Sequence, residues 1–112
     1  MSSEFKITQS FGYLFLSNIK KDINDEKFIK TGSIIKMNNV IDNIFSKLDI
    51  MEQNKESAEE VAYYCLNIQE NILPGIMNGR ILTYNNTKVY TDVYKGCFYL
   101  IEDLKKLYVD FD

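Results

Sequence analysis

The chain has 112 residues, 46% of them hydrophobic, with seven Phe, eight Tyr and two Cys and a formal net charge of −3. That length and apolar content describe a single helical domain, residues 1–112, able to bury a core without a metal or disulfide framework. The charge is uneven and excludes a uniformly basic nucleic-acid binder: residues 1–36 hold six Lys against four acids, or +2, and residues 37–112 hold seven basic against twelve acidic side chains, or −5.

In chain order, Phe11, Phe15, Ile19 and Ile23 recur at four-residue steps beside Leu14 and Leu16. This predicts a helix with a broad apolar face over residues 1–24. The alternation of Phe11, Tyr13 and Phe15 leaves a strand through Ser10–Leu16 as the alternative. Asn24, Asp25 and Glu26 form a polar break, residues 25–31 read as a short helical turn, and Gly32 suits a helix end where Ser33 suits a start. The next stretch is the one the rest of the chain is organised around. Ile34, Met37, Ile41, Ile44, Leu48 and Met51 recur with spacings of three and four, one apolar seam of a helix expected from about Ser33 to about Gln53.

Ser57-Ala58-Glu59-Glu60 spells a capping box, with acids in the positive first turn of a third helix. Ala58, Val61, Cys65, Ile68 and Ile72 continue the three-and-four spacing, and Ala62, Leu66 and Leu73 widen the stripe. Pro74-Gly75 predicts its end, and Asn78-Gly79 adds a second turn signal. Ile81–Tyr84 and Thr87–Tyr90 around Asn85-Asn86 allow a short β-hairpin near residues 81–90. Against it, Tyr90, Val93, Cys97, Leu100, Leu104, Leu107 and Phe111 hold one helical seam, predicting a helix from about Thr87 to Asp110. The expected fold is all-α, an antiparallel bundle of four main helices.

Catalytic chemistry finds little to work with. There is no His, which removes the commonest general base, the commonest zinc ligand and every Ser-His or Cys-His nucleophile system. The five glycines never approach the spacing of a phosphate cradle. Cys65 and Cys97 fall on inward seam positions and read as small buried hydrophobes. Glu59 with Glu60 is accounted for by a helix start, and Glu102 with Asp103 by local pairing with Lys105 and Lys106. The expectation is no enzyme, no cofactor and no metal. Two cysteines, no secretory leader and no apolar run near the length of a membrane span point to a cytoplasmic protein with no membrane partner.

What the chain does offer is a surface. Between Asp42 and Glu70 seven acids face only Lys47 and Lys55. Asp42, Asp49 and Glu56 recur every seven residues as an acidic ridge, extended by Glu59 and Glu60. Tyr63, Phe98 and Tyr99 fall away from their seams, and Tyr84 sits in the connection. Tyr-rich, acid-rimmed surfaces suit protein partners, and the acids argue against nucleic acid. The expected function is a small acidic binding protein that neutralises or inhibits a basic protein target, such as a toxin or defence nuclease, in the manner of an immunity protein, antitoxin or phage-encoded inhibitor. One alternative is a homodimeric structural or regulatory bundle closing through Tyr94, Ile101 and Tyr108. Another is a helix-turn-helix DNA-binding regulator built on Ile29–Ile35 and Val40–Leu48, whose second helix lacks phosphate-binding charge.

Overall fold

A computed structural model describes residues 3–25, 32–51, 54–77 and 84–107. Helix α1 spans Ser3–Ile23, α2 Gly32–Leu48 and α3 Lys55–Asn67; a π-helical turn, Ile68–Ile72, leads into α4, Leu73–Met77, and α5 spans Tyr84–Leu107. Among the described residues there is no strand. The short helical turn expected over 25–31 falls almost wholly outside the described residues.

The strand alternative for Ser10–Leu16 is overturned, because α1 runs through it without a break. Its buried face is also one position away from the expected Phe11 and Phe15: Phe5, Thr8, Gly12, Leu16, Ile19 and Ile23 are buried, while both rings are half-buried and Leu14 is exposed. Thr8 and Gly12 do not register as apolar anchors, yet both are buried, and Gly12 lets neighbours come close. A β-carbon at Gly12 would stand 3.2 Å from Leu48 Cδ2 and 3.7 Å from Leu100 Cδ1, so this point of α1 touches α2 and α5 at once.

In α2 the whole predicted seam, Ile34, Met37, Ile41, Ile44, Leu48 and Met51, is buried. The helix stops at Leu48, short of the expected Gln53, with the Ile50 amide bonding to the Lys47 carbonyl at 3.2 Å. That tighter bond turns the chain so that Met51 still reaches the core. Gly32–Leu48 is one uninterrupted helix, so Ile35 and Val40 share it, and residues 29–31, where the helix-turn-helix alternative begins, lie outside the described residues.

The start of α3 corrects the capping box. Asn54, in extended conformation at φ −143° and ψ 101°, accepts from the backbone amides of Glu56 at 3.0 Å and Ser57 at 3.4 Å. Ser57 lies inside the first turn and is buried, and Glu60 reaches Lys47 instead. An Asn carboxamide caps as well as a Ser hydroxyl, and one position of N-cap is all a helix has.

Pro74 does not end the helix as expected. The Leu73 amide bonds to the Ile68 carbonyl, five residues back, and α4 continues through Pro74 and Gly75. A proline ring crowds the carbonyl four residues before it, and the wider π turn moves that carbonyl aside. Ile68, Ile72, Leu73 and Ile76 therefore stay buried across the irregularity.

Residues 84–90 belong to α5, which overturns the hairpin over that span; residues 78–83 lie outside the described ones. Val89, Val93, Cys97, Leu100 and Leu104 are buried, and a seam of five anchors outweighs a two-residue turn signal. Helices α1 and α3 each touch α2 and α5, α4 lies against α2 and α5, and one core cluster joins them all. The body measures 45 × 23 × 18 Å, and the 24-residue α5 is about 36 Å long at 1.5 Å per residue. Among the described residues, no helix is long and apolar enough to cross a membrane.

Candidate protein-binding surface

Where two helices meet, their side chains either bridge the seam or leave it open. The α1–α2 seam is bridged along its length. Gln9 Nε2 donates to the Leu48 carbonyl at 2.6 Å, the Lys20 ammonium pairs with Asp42, and the Tyr13 hydroxyl donates to Asp49. The Tyr13 ring stacks on Phe45 with centroids 5.7 Å apart. Burial, then the bond to Asp49 and its negative charge, push the Tyr13 hydroxyl up to about 12.

Two of the three ridge acids are thus already engaged. Asp42 on α2 and Asp49 just past its end both meet side chains of α1, and Glu56 stands apart in the first turn of α3. The seven-residue spacing could not show that α1 supplies Lys20 to Asp42 and Tyr13 to Asp49. Glu60 pairs with Lys47 of α2 at 3.2 Å and Glu59 with Lys55 at 3.8 Å. These are exposed pairs of the kind that contribute about 0–1 kcal/mol each.

Between α3 and α5 the seam is closed from within and at one end only. Cys65 and Cys97 are both buried and unoxidised. The Cys97 thiol is hydrogen-bonded with Cys65, and that bond followed by burial raises it well above the usual thiol range. Gln69 Nε2 donates to the Tyr94 carbonyl at 3.0 Å. Toward the start of α3 the walls part around a cavity of about 660 Å³. Ala62, Leu66 and Ile101 supply its apolar lining, Tyr63 and Tyr64 flank it, Glu56, Glu59 and Glu60 stand on the α3 side and Lys105 on the α5 side.

Four of the nine sequence-derived candidates, Glu56, Glu59, Glu60 and Tyr63, therefore meet around one groove. Tyr63 is 67% exposed, its ring edge-on to Tyr64 at 6.2 Å. Phe98 and Tyr99 are also exposed, at 50% and 56%, and stand edge-to-face on α5, outside the cavity lining. Tyr84 is the first residue of α5, and its side chain lies outside the described ones. Leu66, read from sequence as part of the core stripe, is 43% exposed. Widening the stripe to Leu66 turned it past the edge of α5; the same rotation makes Leu66 and Ile101 groove residues that periodicity alone assigned elsewhere. Of the self-interface stripe, Tyr94 is exposed and stacks on Tyr90 at 6.3 Å, Ile101 is half-buried, and Tyr108 lies outside the described residues.

No family model, no curated protein and no solved structure matches this chain. Its site has to be judged on its own chemistry. Among the described residues, no group of three or more Cys, Asp or Glu side chains is arranged to hold a metal ion. The groove presents carboxylates, phenol rings and aliphatic carbon. Such a surface can desolvate apolar side chains, a property of protein recognition.

Proposed function

We propose that this protein is a non-enzymatic cytoplasmic binding protein that neutralises or inhibits another protein by occupying a basic surface, as an immunity protein, antitoxin or phage-encoded inhibitor does to a nuclease. The observation that carries this reading is the convergence of Glu56, Glu59, Glu60 and Tyr63 around one open, apolar-lined groove. Exposed rings that are stiff and already positioned lose little entropy on contact, and a negative rim speeds encounter with a basic partner. The scaffold proposed beneath it is an antiparallel bundle. Gln9 with Leu48 and Lys20 with Asp42 match the start of α1 to the end of α2, and Lys47 with Glu60 matches the end of α2 to the start of α3.

The test is affinity capture of the tagged protein from lysate of its host and of neighbouring strains, at low and high salt, read by mass spectrometry. The reading expects one stoichiometric basic partner, lost at high salt and weakened by Glu56→Gln with Glu59→Gln. Recovery of the bait alone at both salts overturns it.

A second reading, the homodimeric bundle, is favoured by the exposure of Tyr94 and Phe98 one turn apart on α5. It expects a dimer in sedimentation equilibrium that Tyr94→Asp converts to monomer.

A further inference from the structure

Two sulfurs face each other inside the α3–α5 seam. Cys65 and Cys97 are the two cysteines of the chain, both are buried and neither is oxidised. Contacts one turn away on either side fix their register. Gln69, four residues after Cys65, donates to the carbonyl of Tyr94, three residues before Cys97, at 3.0 Å. Ala62, three residues before Cys65, lines the same cavity as Ile101, four residues after Cys97. Between these contacts the thiols meet, and the Cys97 thiol is hydrogen-bonded with Cys65.

We propose that Cys65 and Cys97 are a reversible redox staple: a low-molecular-weight disulfide, of the class of oxidised glutathione, converts them to one disulfide within the chain that ties α3 to α5, and excess free thiol opens it again. The inference does not depend on what the surface of the protein binds.

Helix axes pack about 8–10 Å apart and each Cα lies about 2.3 Å from its axis, so Cα atoms directly opposed across a seam stand about 3–5 Å apart, and slightly offset ones a little more. A disulfide spans about 4.4–6.8 Å between Cα atoms. Both sulfurs already belong to the apolar core, so closing the bond exchanges one thiol contact for another and takes no charge out of water.

The exchange balances. When the seam opens, one thiol loses its proton and attacks a sulfur of the small disulfide, whose other half leaves as thiolate. The second cysteine then attacks the first cysteine's sulfur in that mixed disulfide and expels the remaining half. Two protein thiols are oxidised, one small disulfide is reduced to two small thiols, and these take up the two protons. Burial makes the first step wait for an opening, and contact makes the second fast, so the mixed disulfide does not accumulate. The bond closes a loop of about 30 residues that includes α4 and restricts the unfolded chain far more than the folded one. It also joins the two helices that wall the groove.

The test is refolding of the reduced full chain from guanidinium into mixtures of oxidised and reduced glutathione, followed by acid quench, alkylation and intact-mass measurement. Starting from the unfolded chain removes the barrier of burial. At a fixed glutathione ratio, the ratio of cross-linked to reduced protein should be at least about tenfold higher after refolding than in chain kept in guanidinium. Trypsin should then release residues 56–80 joined to residues 96–105, a product that reduction separates. The oxidised protein should keep the circular dichroism spectrum of the reduced one and show a urea midpoint at least about 1 M higher. Glutathione adducts on both cysteines, disulfides between chains, no enrichment of the cross-link on refolding, or a urea midpoint that oxidation lowers would overturn the proposal.

Discussion

The ring of Phe15 lies over Gly96, in the space that a β-carbon on that glycine would need. The contact holds α1 against α5, and the ring is itself stacked on Phe11 with centroids 5.8 Å apart. Alanine at position 96 would gain about 1 kcal/mol of helix propensity. It would also drive a β-carbon into an aromatic ring backed by another, and overpacking of that kind costs about 1–3 kcal/mol. Gly96→Ala should therefore destabilise the protein in urea denaturation. In a Phe15→Ala background the sign should reverse, because the obstruction is gone and only the propensity gain remains. Equal effects of Gly96→Ala in both backgrounds would mean that the two residues are not coupled.

The Tyr13–Asp49 bond predicts an alkaline transition. In the folded protein burial and Asp49 push the Tyr13 hydroxyl up to about 12, from about 10 for an unfolded tyrosine. The folded state thus holds the proton more tightly. Its contribution to stability is complete below pH 10 and is lost as pH rises through about 12. Tyr13→Phe should cost about 1 kcal/mol at pH 8. The gap between wild type and variant, followed by urea midpoints, should narrow above pH 10; a gap that stays constant to pH 12 would contradict the assignment.

The cap of α3 separates two residues that the sequence makes look alike. Asn54 satisfies two first-turn amides, so Asn54→Ala should cost about 1 kcal/mol. Ser57 is buried and caps nothing, so Ser57→Ala should stay within about 0.5 kcal/mol of wild type. Thermal unfolding of the two variants decides the matter, and the reverse order would restore the capping box.

Cys65 and Cys97 should be silent as nucleophiles. Both are buried, and their mutual hydrogen bond and burial disfavour the thiolate at Cys97. An aromatic disulfide reagent at pH 8 should titrate neither thiol in the folded protein and both after addition of guanidinium. Rapid reaction of one thiol under native conditions would show that the α3–α5 seam opens at this point.

Much of the fold was legible because helical period is a local property. Six anchors from Ile34 to Met51 recur at three and four, and a period of 3.6 places them on one side whatever they pack against. The same holds for Val61, Cys65 and Ile68, and for Val93, Cys97, Leu100 and Leu104. Local reading failed where a small residue did an anchor's work, as at Gly12, because its value lies in how close a neighbour can come. It failed again at Pro74, where burial of Ile72, Leu73 and Ile76 on both sides of the proline favours a π turn over a helix end.

By itself, then, the amino-acid sequence determined that the chain is helical, which side of most helices is apolar, and that acids gather in its middle. Only the tertiary structure decided what each edge meets. It gave Asp42 and Asp49 to Lys20 and Tyr13, turned Cys65 toward Cys97, and left Glu56, Tyr63, Leu66 and Ile101 around an open groove. The reason is physical: a side chain's face follows from its own few neighbours along the chain, whereas its partner is set by residues tens of positions away that are brought near when all the seams close on one core.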